Sequence, residues 1–198
     1  MGKDNQTLQF YKQNADSFFS GTVTADMQEA RKRFTDCLSV HAAILDFGCG
    51  SGRDTRAFMD AGFLVDAVDG SEELCIRASE YTGITVQHMM FDELDVADRY
   101  DGIWACASLL HLPKKELTAV LQKIEAALRK NGVLYASFKY GDFEGIRDGR
   151  YFTDFTENSL AAFWKESTSM HMFDVWISQD VRSDRREKQW INLLARRI

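Results

Sequence analysis

The chain has 198 residues, 45% hydrophobic and 27% charged, which suits one globular domain with a substantial core. Its formal net charge of −6 argues against general binding to nucleic acid or to anionic membranes. Cys37, Cys49, Cys75 and Cys106 form no C-x-x-C pair and meet no zinc-spaced histidine, so they read as reduced packing residues with no metal site. Residues 1–6 lack an apolar signal core, Gln6 spoils a myristoylation match, and no apolar run nears the ~20 residues that span a bilayer. A cytoplasmic protein is expected.

In chain order, residues 8–19 place Leu8, Tyr11, Ala15, Phe18 and Phe19 at helical spacing, with Gln13, Asn14 and Asp16 off that face. This predicts a helix on the domain edge. A linker follows over 21–26, where Thr24 or Asp26 is placed to cap a second helix over 27–38. An apolar strand over 42–47 then runs into Asp46-Phe47-Gly48-Cys49-Gly50-Ser51-Gly52-Arg53. Alternate glycines at a strand-to-helix junction predict a tight loop that a ligand approaches more closely than a Cβ permits. A carboxylate at the entrance, Asp46, suits an amino group or a sulfonium better than a pyrophosphate. The dinucleotide pattern G-x-G-x-x-G would need glycine at 53, where Arg53 stands. The hydrolase elbow G-x-S-x-G around Ser51 would need glycines at 49 and 53.

A helix over 54–60 stops at Gly62, and a strand over 63–68 ends at Asp69. That acid lies about 20 residues beyond the glycines, the spacing of a carboxylate that binds ribose hydroxyls. Ser71 starts a helix over 72–81, and strands are predicted over 84–90 and 100–106. Pro113 opens the clearest helix, with Leu117, Val120, Leu121, Ile124 and Leu128 on one face. Asn131-Gly132 ends it, and a fifth strand covers 133–138. Alternating strands and helices imply a parallel sheet with its ligand beyond the strands' C-terminal ends. The loop after Asp46, Asp69, Asp92, the segment 106–111 and Tyr140 all fall at such ends. The last third predicts a helix over 159–164 and two strands, 172–181 and 190–195. Arg182, Arg185, Arg186, Arg196 and Arg197 alternate there with Asp180, Asp184 and Glu187, which reads as a solvated hairpin with surface ion pairs.

Asp46-x-Gly48-x-Gly50-x-Gly52 with Asp69 resembles the cofactor signature of class I S-adenosylmethionine (SAM)-dependent methyltransferases. The resemblance is specific over 42–140 and looks closest to small bacterial members, including tellurite-resistance-like ones. It implies an α/β, Rossmann-like, seven-stranded and mostly parallel sheet with an antiparallel C-terminal hairpin strand and helices on both faces. A single domain would divide into a helical cap (1–40), a cofactor-binding core (41–140), and a substrate-side insertion with hairpin (141–198). The implied activity is methyl transfer from SAM to a small molecule, releasing S-adenosylhomocysteine (SAH), by a monomer or homodimer. A non-catalytic SAM-binding protein is the alternative, and an NAD-type dehydrogenase is disfavoured by Arg53 and Asp46.

By the same resemblance, Asp69 would accept from the ribose hydroxyls and Asp46 would oppose the amino or sulfonium charge. The backbone of Gly48, Gly50 and Gly52 would approach the methionine part, Gly70 and Ser71 would line the adenosine, and Arg53 is a further candidate cofactor contact. Phe91 and Asp92 would meet adenine, Cys106 and Ala107 would close the fourth strand's end, and Tyr11 would form a flap. His111 is the candidate base near the transfer site, with capping of the helix or bonding of a backbone group as the competing role. Tyr140, Arg147 and Arg150 are the candidate substrate contacts, the arginines as clamps for an anion.

Overall fold

The computed structural model describes residues 3–182 and 187–198. Arg185, Arg186 and Asp184 of the expected basic hairpin lie outside the described residues. Seven strands form one sheet: β1 (Ala43–Phe47), β2 (Leu64–Asp69), β3 (Gln87–His88), β4 (Tyr100–Ala105), β5 (Leu128–Lys139), β8 (His171–Gln179) and β9 (Gln189–Arg196). Their order is β3-β2-β1-β4-β5-β9-β8. The first five pair in parallel, and β9 runs antiparallel to both β5 and β8. The expected fold is the observed one.

Helices cover both faces because the inner strands are apolar on both sides. On one face α5 (Lys114–Ala127) and α6 (Glu157–Ser167) bury Leu117, Leu121, Ile124, Leu160 and Trp164 against Ile103 and Phe138. On the other, α2 (Gln28–Thr35) and α3 (Arg53–Asp60) bring Phe34 and Phe58 onto Trp104. The Trp104 indole stacks on Tyr135 with ring centroids 3.8 Å apart. Helix α4 (Glu72–Thr82) starts as expected, the Ser71 hydroxyl accepting from Leu74 N–H.

Two element bounds differ from expectation. The third strand shrinks to Gln87 and His88, because only these reach β2 at the sheet edge. Helix α5 ends at Ala127, before Asn131-Gly132, and β5 begins at Leu128. Leu128 is fully buried opposite Tyr100, and pairing with β4 and β9 holds this outer stretch extended. The segment after β5 is a second small sheet, the hairpin β6 (Glu144–Arg147) and β7 (Arg150–Thr153).

Helix α1 (Lys3–Thr22) lies across the C-terminal end of the sheet and is broken at Asn14, where φ is −119° and ψ is 16°. The Thr7 hydroxyl accepts from Tyr151 N–H of β7 at 3.0 Å, tying the helix to the hairpin. Leu8 and Phe18 reach Gly70 and Gly50. Sequence spacing placed this helix on the domain edge; it roofs the sheet's C-terminal end instead.

Candidate active site

Beneath α1 and beyond the ends of the parallel strands lies a cavity of about 470 Å³. Its first wall is the loop after β1. The Gly48 and Cys49 amides both donate to Val68 O, which pins the loop to the end of β2. Gly48 has φ of +84°, and a Cβ there would stand 2.5 Å from Ser108 Cβ. Only glycine fits. The Gly50 amide donates to Asp69 Oδ2 and the Ser71 amide to Asp69 Oδ1, each at 2.8 Å. Burial raises the Asp69 carboxyl, and these two amides oppose that rise.

Asp46 is almost fully buried, and its Oδ2 accepts from the Thr55 hydroxyl at 2.6 Å. Burial and the nearby Asp54 push it up to about 7. Asp54 responds in the opposite direction. Burial alone would raise it, but Arg53 and Arg31 hold it below the usual range. It accepts from Arg31 Nη1 at 2.7 Å, Arg53 Nη2 at 2.6 Å and Trp104 Nε1 at 3.0 Å. This buried network anchors the start of α3 on α2 and β4. It also turns the Arg53 guanidinium along the cavity wall beside Cys106 Sγ, 3.7 Å away.

His111 sits in the short turn Leu109–His111 after β4. Its Nδ1 lies 2.7 Å from Tyr151 O, a carbonyl that can only accept, so Nδ1 carries the proton. Nε2 then accepts from the Tyr11 hydroxyl at 2.8 Å. Burial, with Arg150 and Lys139 nearby, depresses the imidazole to about 4 against the opposing Tyr151 carbonyl. His111 is therefore neutral, with its lone pair already engaged by Tyr11.

Of the expected site residues, Tyr11, Asp46, Gly48, Gly50, Arg53, Asp69, Gly70, Ser71, Phe91, Cys106, Ala107, His111 and Arg150 line this one cavity. Gly52, Asp92, Tyr140 and Arg147 do not. Gly52 starts α3 and packs against Ala78 and Thr82 of α4. Asp92 projects into solvent from the turn Phe91–Glu93, whose Phe91 faces inward onto Phe47. Tyr140 is 37% exposed and donates to Glu157 Oε2. Arg147 is bound by both oxygens of Asp154, at 3.1 and 3.0 Å.

Lining residues that sequence reasoning missed include Ser137 and Lys139 on β5, Phe152 on β7, Trp176 on β8, and Trp190 and Asn192 on β9. Asn192 accepts from the buried Tyr135 hydroxyl and donates to the half-buried Ser178 Oγ, a polar link across three strands. Among the described residues, no group of three or more His, Cys, Asp or Glu side chains is placed to hold a metal. No helix there is long and apolar enough to cross a membrane.

Residues 44–132 match the family of methyltransferase domains. Human N-terminal Xaa-Pro-Lys N-methyltransferase 1 is 31% identical over 98 residues, which is 46% of this chain and 44% of that protein. The chain spans less than half the length of the curated relatives it matches. Among solved structures, 1,6-didemethyltoxoflavin-N1-methyltransferase of Burkholderia thailandensis, crystallised with 1,6-didemethyltoxoflavin and SAH, is 25% identical with a TM-score of 0.77. The match covers 96% of this chain and 84% of that one. TehB of Haemophilus influenzae shares the fold, with a TM-score of 0.71 at 16% identity, covering 93% of this chain and 67% of that one. Residues 44–132 are thus similar to methyltransferase domains, and the chain has the fold of the SAM-dependent methyltransferases.

Proposed function

We propose that the protein transfers the methyl group of SAM to a small-molecule acceptor. The observation that carries this reading is the meeting of Asp46, Asp69 and the Gly48–Gly50 backbone on one roofed cavity. The sulfonium supplies an activated methyl carbon, and the protein's task is alignment and electrostatics. Asp69, already oriented by two amides, has lone pairs left for ribose hydroxyls. Asp46 offers a buried negative charge to a cationic ligand, and Phe91 an aromatic face to adenine. Ala107 and Cys106 border the end of β4, and Tyr11 closes the roof. A relative that acts on 1,6-didemethyltoxoflavin supports a small acceptor.

One observation favours the binding-only alternative: the Tyr11 hydroxyl occupies the only acceptor nitrogen of His111. The two readings separate in one assay. Methyl-labelled SAM is incubated with the protein and a panel of thiol, amine, hydroxyl and chalcogen acceptors. Release of SAH together with a labelled product is expected. Tight SAM binding with no turnover across the panel would favour the sensor.

A further inference from the structure

Resting on that reading, we infer that the acceptor is a small flat organic anion, held with its negative charge between Lys139 and Arg150 against the ring of Phe152. The acceptor half of the cavity is built from β5, β7, β8 and β9, and Trp176, Trp190 and Phe152 are among its lining residues. Lys139 Nζ stands 4.2 Å from the Phe152 centroid, and the Arg150 guanidinium carbon 5.1 Å from it. Neither cation has an ion-pair partner among the described residues. Their neighbours are answered differently: Arg147 is clamped by Asp154, and Arg182 by Asp180. Arg150 Nε is buried without a hydrogen-bond partner, the only such side-chain nitrogen or oxygen among the described residues. A buried donor left unanswered is costly, and a cation more so. The guanidinium also rests 4.3 Å from the Phe10 centroid, so α1 holds it over the cavity.

Burial, Arg147, Lys188 and Arg150 together pull the Lys139 ammonium down to about 8, with Asp154 the opposing charge. The site resists its own positive charge, and an incoming anion relieves it. The state of His111 fits the same acceptor. With its lone pair taken, the neutral imidazole is no open base, and an acceptor that arrives already deprotonated needs none. Its lone pair forms the bond to the methyl carbon as the carbon–sulfur bond breaks, and those electrons remain on sulfur. An anion and a sulfonium become a neutral product and a neutral sulfide, with no proton to place. The product has then lost the charge that Lys139 and Arg150 recognise, which favours its release.

The test titrates benzoate, salicylate and nicotinate, each beside its uncharged carboxamide, into the protein with and without saturating SAH. At least one acid is expected to bind about tenfold or more tightly than its amide. That preference should collapse in Lys139→Gln and in Arg150→Gln, survive in Lys139→Arg, and survive in Arg147→Gln, whose side chain lies outside the cavity. SAH affinity and circular dichroism report whether each variant is folded. No acid outbinding its amide in the wild-type protein would overturn the inference, as would a preference that persists in both glutamine variants. SAH binding without any acid preference would sink the anion site and leave methyl transfer standing. An acid preference without SAH binding would do the reverse.

Discussion

The two halves of the cavity carry opposite charge and are built by opposite means. The cofactor half is acidic, with Asp46 and Asp69 at the ends of adjacent strands. It is assembled mostly from one short loop whose backbone does the positioning. The acceptor half is basic, with Lys139 and Arg150 facing it, and its side chains come from strands far apart in the chain. A cationic donor beside an anionic acceptor is the pairing this division suits. Under the proposed function, the sequence-local half would hold the cofactor and the dispersed half would select the acceptor.

The comparison breaks most visibly at Gly48. Alanine there combines a left-handed backbone with a Cβ 2.5 Å from Ser108 Cβ, at an expected cost of about 2–4 kcal/mol. Denaturant unfolding should show that loss, and SAM binding should vanish while the basic half remains able to bind an acid. Stability within error of wild type would mean that the loop or Ser108 shifts to admit the methyl group.

Asp69→Ala is expected to weaken SAM by about tenfold to a hundredfold, as charged hydrogen bonds contribute roughly 1.5–3 kcal/mol. Acid binding in the other half should be unchanged. Unaltered SAM affinity in calorimetry would remove Asp69 from the ribose role.

At the seam between the halves, His111→Ala should lower turnover by about tenfold through misplacement of Tyr11 and β7, with SAM affinity nearly intact. Tyr11→Phe removes a bond to the neutral imidazole, so the His111 titration seen by NMR should move up from about 4. Equal losses of turnover and SAM binding in His111→Ala would make the residue purely structural.

The smallest effect sharpens the acidic half. With its folded pKa raised to about 7, Asp46 is partly protonated at neutral pH in the free protein. A cationic ligand stabilises the carboxylate and lowers that pKa, so binding releases a proton. SAM affinity should therefore fall severalfold as pH drops from about 8 to about 6. Calorimetry at neutral pH in buffers of different ionisation heat counts the proton, and net uptake would contradict the assignment.

How much of this could be read beforehand follows the same division. The loop declares itself in sequence because alternate glycines and a flanking acid are local requirements of backbone and charge. Asp69 follows from spacing alone. The dispersed half gives no such local signal, since Lys139, Trp176 and Asn192 become neighbours only when β9 inserts between β5 and β8. One cue was present and unused. Asp148-Gly149 between two short runs is a two-residue hairpin turn, and both residues indeed have positive φ, 52° and 74°. Reading it would have found β6 and β7, and with them Phe152. Choosing between Arg147 and Arg150 required the fold, because only the position of Asp154 decides which arginine is already paired.

The central claim is tested most directly by titrating the folded protein with SAM and, in parallel, with NAD, by calorimetry. Saturable one-to-one binding of SAM in the micromolar range, displaced by SAH, is expected, with NAD silent. Absence of SAM binding by a protein shown to be folded, or competition by NAD for the same cavity, would contradict it.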